Sequence, residues 1–140
     1  MAGKADFTED EWDALQKGVT GAGMLVSVAD RDFTDSFGEA SALAKQLAAH
    51  RESESQVVRE LSATHGTGFG MTASPEEILQ GTIDALTSAV ATLGEKAPAE
   101  LEAYRGLVLD VANAVAEAKG GVKEAETAAI EKITAALGAA

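Results

Sequence analysis

Val28–Lys45 reads VADRDFTDSFGEASALAK, and Val115–Lys132, eighty-seven residues further on, reads VAEAKGGVKEAETAAIEK. In each stretch a helical run ends in a short acidic turn and a second helical run starts at once. Without a gap, Val28 aligns with Val115, Ala29 with Ala116, Asp30 with Glu117, Glu39 with Glu126, Ala42 with Ala129, Leu43 with Ile130 and Lys45 with Lys132. An internal duplication explains this match, and so does chance, because Ala-rich helices align readily. The duplication predicts two helix–acidic turn–helix units, 7–65 and 74–140, joined by a Gly-rich loop at 66–73 and related by a pseudo-twofold axis.

Helical spacing recurs along the rest of the chain. Thr8 and Glu11 have the spacing of a capping box, with Phe7 and Trp12 flanking it as a hydrophobic staple. Trp12, Leu15, Val19, Ala22, Val26 and Ala29 then form one apolar stripe. Gly18, Gly21 and Gly23 fall inside this first helix, and each mid-helix Gly costs about 1 kcal/mol relative to Ala. Close approach of a neighbouring helix compensates such a cost; a kink or space left for a ligand are the other readings. A second helix follows the acidic turn, with Phe33, Phe37, Ala40 and Leu47 on its apolar face. Ser53 and Gln56 open a short third helix that turns Val57, Val58 and Leu61 inward. Ser74 as N-cap and Pro75 at N1 start a fourth helix, with Leu79, Ile83, Leu86, Val90 and Leu93 inward and Gly94 ending it. Pro98 starts a fifth helix, with Leu101, Tyr104, Val108, Val111 and Val115 inward and Gly120-Gly121 stopping it, and a sixth covers about 123–137, with Ile130, Ile133 and Leu137 inward. The expected fold is all-α: one compact bundle of about six helices in a single 140-residue domain.

Composition narrows the function. Hydrophobic residues make up 46% of the chain and aromatics 4%, so Ala, Val and Leu build the core. Eleven Lys+Arg against 23 Asp+Glu give a net charge of −12, which disfavours nucleic acid and anionic membranes as partners. The acidity favours a cation or a basic protein surface, or serves only to keep the chain soluble. No apolar run approaches the ~18 residues of a membrane span, and MAGKADFTEDEW lacks the apolar region of a secretory signal. A cytoplasmic protein is therefore expected, and the absence of Cys fits a reducing compartment.

No nucleophile or acid/base pair stands out. His50 and His65 are the only imidazoles, both at expected helix ends, where they can satisfy C-terminal carbonyls. Paired Glu-x-x-His motifs of a di-iron bundle are absent. GTGFGM at 66–71 follows no strand and leads into no Lys-Ser/Thr, so it reads as an interhelical loop, not a phosphate cradle. Its Phe69 and Met71 either tuck onto the core or contact a partner. Asp30, Asp32, Asp35 and Glu39 place four carboxylates within ten residues. Oxygen ligands of this kind suit Ca²⁺ or Mg²⁺, although Asp35 and Ser41 occupy the loop positions where an EF-hand has Gly and Glu. Helix capping and protein recognition are the alternatives. In the second turn Glu117 and Glu126 remain, interrupted by Lys119 and Lys123.

The helix–acidic turn–helix pattern of Leu107–Gly138, LVLDVANAVAEAKGGVKEAETAAIEKITAALG, and of Val26–Leu47 resembles the tellurite-resistance TerB-like family. Asp30 and Glu39 match that family's turn Asp and following Glu, and Glu117 and Glu126 occupy these places in the second copy. Arg31 stands where the family has Gly, and Glu117 where it has Asp. The resemblance implies an all-helical, pseudo-symmetric, non-enzymatic scaffold or sensor in stress and chemical-resistance systems, with acidic residues proposed to bind metal. It would engage a protein partner. Self-association through the glycine-bearing face of the first helix is the alternative.

Overall fold

Thr8 and Glu11 cap the first helix reciprocally. The Thr8 amide donates to Glu11 Oε1 at 2.8 Å, and the Glu11 amide donates to Thr8 Oγ1 at 3.1 Å. Two N-terminal donors are thereby satisfied. Phe7 and Trp12 close the staple, their ring centroids 5.9 Å apart.

The computed structural model describes residues 6–29, 45, 48–52, 56–63, 75–118 and 124–138. Among them are five α-helices and no strand: α1 (Glu9–Ala29), α2 (Gln56–Ala63), α3 (Pro75–Lys96), α4 (Pro98–Ala118) and α5 (Glu124–Ala136). The all-α class holds. The count is five, not six, because the expected second helix lies outside the described residues except for helical Lys45, Ala48 and Ala49. Most of Val28–Lys45 and the loop at 66–73 also lie outside them.

α1 is the axis of the bundle. It packs most extensively on α3, then on α4 and α5, while α2 seats on α4. Glu11 meets Lys96 and Gly18 meets Leu86, so α1 and α3 run antiparallel. Gly18 meets Tyr104 and Gly23 meets Val111 and Val115, so α1 and α4 run parallel. Between Glu11 and Val26 only Asp13 is exposed. A helix enclosed on nearly every side must be apolar or small all round, and GVTGAGMLV at 18–26 is. The single stripe read from periodicity is therefore too narrow a description of this helix. The core is one continuous cluster to which all five helices contribute, including Leu15, Val57, Leu86, Leu107 and Ile133.

α3 differs from its sequence reading in two ways. Its buried face carries Ile78, Thr82, Ala85, Leu86, Ala89 and Leu93, whereas Leu79, Ile83 and Val90 are half-buried. Two adjacent apolar stripes satisfy the same period. The one with small residues faces inward, because Ala lets two helix backbones approach closely. The helix also runs through Gly94 to Lys96. Gly94 has no left-handed backbone to stop it; among the described residues only Gly138 does, at φ 70°. The turn to α4 comes at Ala97 instead, whose amide donates to Leu93 O at 2.8 Å before Pro98 opens the next helix.

Gly138 ends α5. Its amide donates to Ala135 O at 3.1 Å, and Arg105 of α4 donates from Nε to Leu137 O at 2.8 Å. Arg105 also pairs with Glu102 one turn earlier. A carbonyl left over at the end of one helix is thus satisfied by a cation on another.

Candidate functional site

The sequence expectations are distributed unevenly over the structure. Asp30, Asp32, Asp35, Glu39, Phe69 and Met71 lie outside the described residues. Among the described residues no three His, Asp or Glu side chains come together as a metal site.

Of the second acidic turn, Glu117 is described in full. It is exposed in the last turn of α4, and Glu126 belongs to the first turn of α5, across the five-residue connection between Ala118 and Glu124. The last turn of α4 carries no basic residue. A carboxylate at a helix C-terminus faces the negative end of the helix dipole and is unfavourable by about 0.3–1 kcal/mol. Capping explains acids at helix N-termini, such as Glu76 and Glu77 on α3, but it does not explain Glu117.

Gly18, Gly21 and Gly23 are buried inside the chain. A Cβ at Gly18 would collide with Tyr104 Oη and come within 2.9 Å of Leu86 Cδ2, and one at Gly23 would stand 3.3 Å from Val111 Cγ1. Close helix approach is what Gly18 and Gly23 serve. At Gly18 and Gly23, the expected contact face for a second copy is occupied by α3 and α4 of the same chain. A second copy could reach Gly18 only by parting α1 from α3 and α4, and Gly23 only by parting it from α4.

Tyr104 is the residue that periodicity alone could not connect to Gly18. Fully buried, it donates from its hydroxyl to Leu15 O at 2.8 Å. Burial raises the phenol pKa far above its ordinary value, since the tyrosinate would have to leave water. The signal available in sequence was a lone Tyr on an apolar face, whose hydroxyl requires an acceptor when buried.

Two further polar contacts tie the helices at the surface. Lys96 Nζ donates to Glu11 Oε1 at 2.6 Å and sits 5.9 Å from the Phe7 ring centroid. Lys96 first, and then the Thr8 amide, hold the Glu11 carboxyl below its ordinary value of 4.5. A lowered folded pKa stabilises the fold above that ordinary value, and the contribution fades as pH falls through the lowered one. His50 lies 3.0 Å from Asp110 Oδ2 on α4, with Nε2 as the nitrogen in contact. Nε2 therefore faces a carboxylate on a neighbouring helix.

Trp12 Nε1 and Thr82 Oγ1 are buried and have no hydrogen-bond partner among the described residues. A buried unsatisfied polar group costs about 1–3 kcal/mol. Thr82 lies on the core face of α3, and valine has nearly its shape. Thr82→Val is expected to raise stability by about 1 kcal/mol in urea denaturation; a loss would mean that the hydroxyl is bonded in solution.

No helix among the described residues is long and apolar enough to cross a membrane. Comparison of the chain with protein-family models, curated proteins and solved structures gives no match.

Proposed function

We propose that this chain is a non-enzymatic, cytoplasmic helical module of the TerB-like type, a stress- or resistance-associated scaffold or sensor. It binds a protein partner, and its acidic turns hold a divalent cation, Ca²⁺ or Mg²⁺. Asp30, Asp32, Asp35 and Glu39 supply the main oxygen ligands, with Glu117 and Glu126 as the weaker set. The observation that carries this reading is the position of Glu117, an exposed carboxylate at the C-terminal end of α4. In the free protein it opposes the helix dipole. A bound cation would reverse that sign, since it meets both the carboxylate and the negative helix end. The net charge of −12 supports the same preference for cationic ligands and basic partner surfaces.

Calorimetric titration with Ca²⁺, Mg²⁺ and Mn²⁺ tests the proposal. Binding heat and a raised melting temperature in the wild type, both lost in Asp30→Asn/Glu39→Gln, are the expected results. Glu117→Gln is expected to stabilise the metal-free protein by about 0.3–1 kcal/mol and to lessen the stabilisation by metal. No heat and no melting shift at millimolar metal would end the cation reading.

A further inference from the structure

We draw no further inference here: the strongest candidate, the His50–Asp110 side-chain pair on the outer side of α4, carries nothing because no third ligating side chain among the described residues joins it to make a site.

Discussion

Gly18→Ala is expected to destabilise the protein by about 2 kcal/mol, although alanine is the better helix former. The propensity gain is about 1 kcal/mol. Against it stands overpacking, which costs about 1–3 kcal/mol in a filled core. The new methyl collides with Tyr104 Oη and crowds Leu86 Cδ2 at 2.9 Å. Leu86 can swing a flexible end away. Tyr104 cannot move its hydroxyl without losing Leu15 O, and a buried hydroxyl stripped of its partner costs a further ~1–3 kcal/mol. The steric and polar losses therefore outweigh the propensity gain.

A double-mutant cycle isolates the cause. Tyr104→Phe alone is expected to lose about 1 kcal/mol, but in the Gly18→Ala background it removes the colliding atom and restores stability. Gly106→Ala is the control: among the described residues nothing beyond its own helix backbone lies within 4 Å of its added Cβ, so the propensity gain of about 1 kcal/mol stands unopposed. Equal stability changes for Gly18→Ala and Gly106→Ala in denaturant titrations would overturn the account.

The second large effect is alkaline. Tyr104 is the only tyrosine, and burial keeps its phenol protonated well above the ordinary value of 10. The unfolded chain releases this proton near pH 10 while the native chain keeps it. Stability is thus complete below about pH 10 and falls above it by about 1.4 kcal/mol per pH unit. Denaturant titrations across this range should show the decline in the wild type and a shallower one in Tyr104→Phe, where lysine titration alone remains. Tyrosinate absorbance should rise together with unfolding. A native chain whose phenol titrates near pH 10 with helicity intact would refute the burial argument.

These two predictions involve contacts that lie beyond the reach of local sequence reading. The capping box at Thr8 and Glu11, the staple at Phe7 and Trp12, and the proline starts of α3 and α4 were legible because each is decided within five residues. Val57, Val58, Leu61, Tyr104, Val108, Val111 and Val115 were placed inward and are buried. The stripe of α3 is legible in part: Leu86 and Leu93 are buried and Leu79 and Val90 pack against the core from its edge, but the inward place of Ile78, Thr82, Ala85 and Ala89 is selected only by the neighbouring helix. The glycines of α1 announced a close approach, but not which helices approach or that their face is used up within the chain. Glu117 was legible as an acid near a turn. That it stands at the disfavoured end of a helix required the boundary of α4.

The helix that forms the axis of the bundle precedes every helix that encloses it. Leu15 and Tyr104 are 89 residues apart, and Glu11 and Lys96 are 85 apart. At a synthesis rate of about 5–20 residues per second, the ribosome would present GVTGAGMLV to the cell roughly 4–17 s before its covering helices exist. A nascent chain in that interval carries an uncovered apolar segment, which is what chaperones bind. Delay in translating the second half should therefore lower the yield of native protein more than an equal delay before α1 is made.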